Sequence, residues 1–153
     1  MNIFERIYDF NKQAGLLDKP YDDFLESSYQ VEEALEGIKA PETMYALGLP
    51  CHTPATPKDF SRFLVASLFD EHRFSLSDVD RLDKACDAIV FAVGSIAKLG
   101  LTPTQIEQAV HIVMDSNTAK LGCPKDEHGK LQKPTTDFPT PEPRLQELLD
   151  QRQ

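Results

Sequence analysis

The sequence has no apolar run near the ~20 residues needed to cross a bilayer, so neither a membrane span nor a membrane partner is expected. It has no C-x-x-C pair. Its three cysteines, Cys51, Cys86 and Cys123, are an odd number at wide spacings, which argues against a disulfide framework and against a zinc knuckle. There is no G-x-G-x-x-G and no P-loop, which removes phosphate binding by a glycine cradle. No segment alternates convincingly between apolar and polar residues, so strands are not expected. The opening MNIFERIYDF contains acids and no continuous apolar core, so a secretory leader is not expected. A reducing cytoplasm is the expected compartment. Basic residues are few, 16 against 25 acidic, for a net charge of -9. That balance argues against nucleic acid as a partner, because such binding needs basic surface to replace counterions.

What is present fits one soluble globular domain. The chain has 153 residues, 41% hydrophobic and 27% charged, enough for a sizeable core. The charge is unevenly distributed. Residues 1–115 hold ten basic and 19 acidic side chains, whereas Lys120, Lys125, Lys130 and Lys133 outnumber Asp126 and Glu127 over residues 116–134. A basic island follows an acidic body.

Hydrophobic spacing and cap chemistry predict an all-α chain. Phe4, Ile7 and Tyr8 repeat at helical spacing over residues 2–14, stopped by Gly15. Phe24, Ser28, Val31, Leu35 and Ile38 form one stripe of a helix over 21–38, ended by Gly37 and Pro41. Residues 40–56 form a proline-rich connector. Thr56-Pro57 with Asp59, Ser77 with Asp80, and Thr102-Pro103 with Gln105 are helix-start signatures of capping-box type. They open helices reaching about Phe69, Leu99 and Leu121, with Gly100 and Gly122 placed as terminators. The first of these should bury Phe60, Phe63, Leu64 and Leu68. The second should bury a stripe of Leu82, Cys86, Ile89, Val93 and Ile96. A short helix is expected over 144–151. The architecture expected is a four-helix-bundle-like core over residues 1–122 with one additional short helix. An irregular proline- and lysine-rich arm, residues 123–153, would pack on that domain or on a partner subunit.

Two helices carry acids beside their apolar stripes. Glu32 and Glu36 lie one turn apart, roughly 80–120° from the middle of the stripe, with Glu33 farther round. Asp80, Asp83 and Asp87 hold a comparable offset on the fourth helix. The bland interpretation is a solvated face. The sharper one is a site for Mg²⁺ or Mn²⁺, because carboxylates packed closely repel unless protonated or bridged by cations, and these ions favour oxygen ligands. His52, His72, His111 and His128 are too scattered to form a ligand set. His111 reads as a packing or surface residue.

The stretch VEEALEGI, followed by LDKACDAIVFAVGSIAKLGL and VMDSNTAKLGCPKDEHGKLQKP, resembles the all-α nucleoside triphosphate pyrophosphohydrolases. The group in question is the MazG-like and phosphoribosyl-ATP pyrophosphohydrolase-like one. That family has E-E-x-x-E on one helix and E-x-x-D on the next long one, then S-N-x-x-K and a D-x-x-G-K-x-x-K-P arm. The likeness covers roughly residues 22–140. It implies magnesium binding by Glu32, Glu33, Glu36 and Asp87, and contacts to substrate phosphates by Asn117, Lys120, Lys130 and Lys133. Glu33 or Glu36 would hold the attacking water as base. Water attack at the α-phosphorus would give a nucleoside monophosphate and pyrophosphate, with Mg²⁺ as adapter between an anionic substrate and an acidic protein. A homodimer or homotetramer and the clearing of non-standard nucleotides are further implications. The sequence departs from the family at Lys84, which stands where E-x-x-D has its glutamate. Asp83, one turn before Asp87, is the candidate to supply the missing oxygen. The rival readings are a narrower substrate, such as dUTP or phosphoribosyl-ATP, and a helical interaction module whose metal site has decayed.

Overall fold

A computed structural model describes residues 2–36, 56–68, 76–125, 131–133 and 138–152. These hold six helices and no strand: α1 (Ile3–Gln13), α2 (Asp23–Glu36), α3 (Pro57–Leu68), α4 (Asp78–Ala97), α5 (Pro103–Thr118) and α6 (Glu142–Asp150). The class is all-α, as the periodicity predicts. The proline-rich connector, the end of the second helix at Gly37 and Pro41, and the side chain of Leu68 lie outside the described residues.

The helix starts follow from local chemistry. In each of three capping boxes the cap hydroxyl accepts the N–H three residues on, and that residue's side chain accepts the cap's N–H. Asp59 accepts from the Thr56 N–H at 3.1 Å, Asp80 from the Ser77 N–H at 3.1 Å, and Gln105 from the Thr102 N–H at 3.0 Å. A fourth box, Asn2 with Glu5, opens α1 and was not anticipated from the sequence. These bonds hold the Asp59 and Asp80 carboxyls below the usual carboxylate range, chiefly through the Thr56 and Ser77 side chains. Past the end of α4, Gly100 has φ 85°, a left-handed conformation that a side chain would strain.

The chain divides into two compact units, Met1–Pro20 with Asp83–Gln153, and Tyr21–Leu82. This division places α6 in one unit with α1 and α5. In the first unit α5 packs on α1 and on α6. Leu101, Ala109, Ile112 and Leu148 form its core, flanked by Ile96, Ile106, Leu145 and Leu149. Burying a large aliphatic chain contributes about 1.5–3 kcal/mol. Asp115 on α5 joins three helices in this unit, accepting from Arg6 on α1 and from Arg144 on α6, each at 2.5 Å. Those two cations, Arg6 first, hold its carboxyl below the usual range. Arg6 also donates to His111 Nδ1 at 3.0 Å. A guanidinium has only donors, so Nδ1 must be the ring's acceptor nitrogen.

In the second unit α2 packs on α3. Ser28 on α2 and Ser61 on α3 are its fully buried side chains, small enough for close helix approach. Phe60 and Val65 are buried as well, whereas Phe63 is 46% exposed, which corrects the expectation that it belongs to the core. Its position in the helical turn puts it off the stripe that runs through Phe60, Ser61 and Val65. Arg81 at the start of α4 clamps Asp23 at 2.8 Å and lies over the Tyr21 ring at 4.9 Å.

The largest correction concerns α4. Leu82, Cys86, Ile89 and Val93 were expected to be buried, and all four are exposed. Within its own unit, none of α1, α5 and α6 packs extensively along α4 among the described residues.

Candidate functional site

Helix α2 positions the first set of acids. Glu32 is only 7% exposed, which is unusual for glutamate, while the next residue, Glu33, is exposed. The 100° turn per residue explains the contrast, since Glu32 lies on the semi-apolar flank and Glu33 beyond it. Glu36 is the last described residue of α2, one turn after Glu32 on the same side of the helix; its side chain lies outside the described residues.

Helix α4 positions the second set. Asp83 and Asp87 are both exposed and lie one turn apart. Lys84, between them, is half-buried. Glu32 and Glu33 belong to the second unit, Asp83 and Asp87 to the first. Among the described residues no group of three or more His, Cys, Asp or Glu is arranged to hold a metal ion.

The basic island is organised where its residues are described. Lys120 Nζ donates to Asn117 Oδ1 at 2.8 Å, bringing together the two residues of S-N-x-x-K that the resemblance assigns to substrate phosphates. The i, i+3 spacing at the end of α5 produces this pair. Lys120 also lies 5.9 Å from the Phe138 ring, which ties the segment before α6 to the end of α5. An isolated antiparallel bridge joins Lys125 and Leu131, with the Gln132 N–H donating to the Pro124 carbonyl at 2.9 Å. Lys133 follows and is exposed. It contributes to holding Glu142 below the usual carboxylate range, after hydrogen bonds from the Glu142 backbone and Thr140. Lys130, His52, His72, His128 and Cys51 lie outside the described residues.

Sequence reasoning missed the polar cluster around Asp115. Arg6, His111, Asp115 and Arg144 come from three helices, and no fixed spacing announces such a group. Its cations are already engaged by Asp115, so its chief effect is to fix the half of α5 that precedes Asn117 and Lys120. Beside it lies a surface cavity of about 340 Å³, lined by His111, Arg144, Glu147 and Gln151 among others. No family model, no curated protein and no solved structure matches this chain.

Proposed function

We propose that the chain is a Mg²⁺-dependent nucleoside triphosphate pyrophosphohydrolase, active as a homodimer or homotetramer, that cleaves triphosphates to a monophosphate and pyrophosphate. The observation that carries the reading is the buried carboxylate of Glu32, on a helix whose next acids follow at Glu33 and Glu36. Glutamate is seldom buried, so this position sets Glu32 apart from the solvated acids around it. The donor set is all oxygen, which suits Mg²⁺ or Mn²⁺ better than zinc or copper. When bound, such an ion supplies charge neutralisation for the polyphosphate and acidifies a water.

The chain's own residues have distinct parts in this proposal. Glu32, Glu33, Glu36, Asp83 and Asp87 would hold the ion, and Glu33 or Glu36 would take the proton from the attacking water. Asn117 and Lys120, already paired, orient and neutralise the leaving pyrophosphate, with Lys130 and Lys133 adding positive charge. A narrower substrate, dUTP or phosphoribosyl-ATP, stays within the same chemistry. The second reading, a non-catalytic helical module, draws on Lys84 in the place of the family's glutamate. A nucleotide panel with pyrophosphate detection in Mg²⁺ tests the proposal. Release from at least one triphosphate supports it. Silence across the panel, together with correct folding, favours the module.

A further inference from the structure

The deepest positions of α2 are polar. Among its described side chains only Ser28, 2% exposed, and Glu32, 7% exposed, are buried, while the apolar Phe24, Leu25, Val31 and Leu35 are only half-buried. Ser28 and Glu32 stand one turn apart on the same side of the helix. Helical side chains lean toward the N-terminus, so Glu32 leans over the turn that carries Ser28.

The two fully buried serines of this unit differ in how their hydroxyls are used. Ser61 on α3 donates back to the Lys58 carbonyl at 2.9 Å, the ordinary local solution for a helical serine. Ser28 Oγ is screened from water and, among the described residues, has no hydrogen-bond partner. It does not take the Phe24 carbonyl one turn back, although a helical serine can do so. Leaving a buried donor unmade is costly. If small size for the approach of α2 to α3 were the only demand, alanine would meet it without a stranded hydroxyl and with better helix propensity. The hydroxyl therefore has a use that this state of the chain does not show.

We infer that Ser28 is a positioning residue for Glu32: once one oxygen of the Glu32 carboxylate turns to a divalent cation, Ser28 Oγ–H donates to the other. The inference rests on the metal-site reading given under the proposed function and names a group outside the acids themselves. A carboxylate presents acceptor sites on both oxygens, and a ligand to a hard cation keeps its orientation only when its remaining oxygen is held by a donor. Ser28 is placed for that task. It is adjacent along the helix face, shielded from competing water, and not committed to a backbone carbonyl.

Thermal melts of the full chain across a Mg²⁺ series, repeated with Mn²⁺, test this. The parent should gain Tm as either ion is added. Without ion, Ser28→Ala should melt at or above the parent's temperature, because it removes a stranded donor and keeps the shape of the contact. The ion concentration that produces a given rise in Tm should then increase about 10–100-fold, the loss typical when a partner behind a metal ligand is deleted. Ser61→Ala, at a site just as buried, should need the same ion concentration as the parent. A lower ion-free Tm for Ser28→Ala would mean that the hydroxyl is already engaged, and overturns the inference. So does an unchanged ion requirement in Ser28→Ala, or an equal increase in Ser61→Ala, and both of these leave the hydrolase proposal standing. A parent whose Tm ignores both ions removes the metal site and this inference with it.

Discussion

Replacing Asp115 by asparagine removes one charge from the junction of α1, α5 and α6 while keeping the side chain's shape. The carboxylate accepts from two arginines in different environments. Arg6 is 25% exposed and Arg144 54%, against 43% for Asp115 itself. The Arg6 bond is the better shielded and is expected to contribute about 1–1.5 kcal/mol, while the Arg144 bond, screened by water, contributes about 0.3 kcal/mol. The variant should therefore lose about 1–2 kcal/mol, a fall in Tm of roughly 3–7 °C for a chain of this size. The sign of the pH dependence follows from the lowered carboxyl pKa of Asp115. A depressed folded-state pKa means stability that is fully present above the ordinary aspartate value near 3.9. It is lost as pH falls through the lower, folded value. Urea melts of parent and Asp115→Asn at pH 7 and at successively lower pH should show the gap closing only below about pH 4. In parallel, Arg6→Met should cost more than Arg144→Met. Equal stability of parent and variant at pH 7, or a gap that persists in acid, would refute the electrostatic account of this junction.

Glu36→Gln and Asp87→Asn should each lower pyrophosphate release at least a hundredfold without loss of helicity, measured by steady-state turnover and circular dichroism; near-normal activity in either removes that residue from the site. Millimolar Mg²⁺ or Mn²⁺ should raise the melting temperature of the parent, because ions that bind only the folded state stabilise it by mass action. That rise should shrink in the Asp87→Asn chain. Thr102→Ala deletes a box in which hydroxyl and amide bonds are both formed, and should cost about 1 kcal/mol in denaturant melts. A loss under 0.3 kcal/mol would mean that packing of Leu101 and Ile106 alone sets the start of α5.

The parts of the fold legible in the sequence are those decided within four or five residues. Thr56, Ser77 and Thr102 announce helix starts because a cap hydroxyl and its partner three residues on close the same two bonds in any context. Gly100 announces an end because its conformation penalises other residues. Burial was less legible. The period of Leu82, Cys86, Ile89 and Val93 shows that this face seeks cover, but period alone does not say whether the cover comes from the same chain. Phe63 is exposed against expectation, and Val65 is buried, for a related reason, since propensity for the core does not fix which side of α3 meets α2. Within the candidate site, Asn117 and Lys120 were legible as one-turn neighbours, and Glu32 and Glu33 divided between buried and exposed as their angular positions require. Asp115 was not legible. Its partners lie 109 and 29 residues away, and only tertiary packing brings three helices to one carboxylate.

Phosphorus NMR of the protein mixed with a nucleoside triphosphate, with and without Mg²⁺, bears most directly on the proposed chemistry, because it identifies the bond that breaks. The account predicts ion-dependent growth of monophosphate and pyrophosphate resonances in equal amounts, absent from the Asp87→Asn sample. Orthophosphate with a diphosphate as first products, or an unchanged triphosphate spectrum for every base and sugar tried, would contradict it.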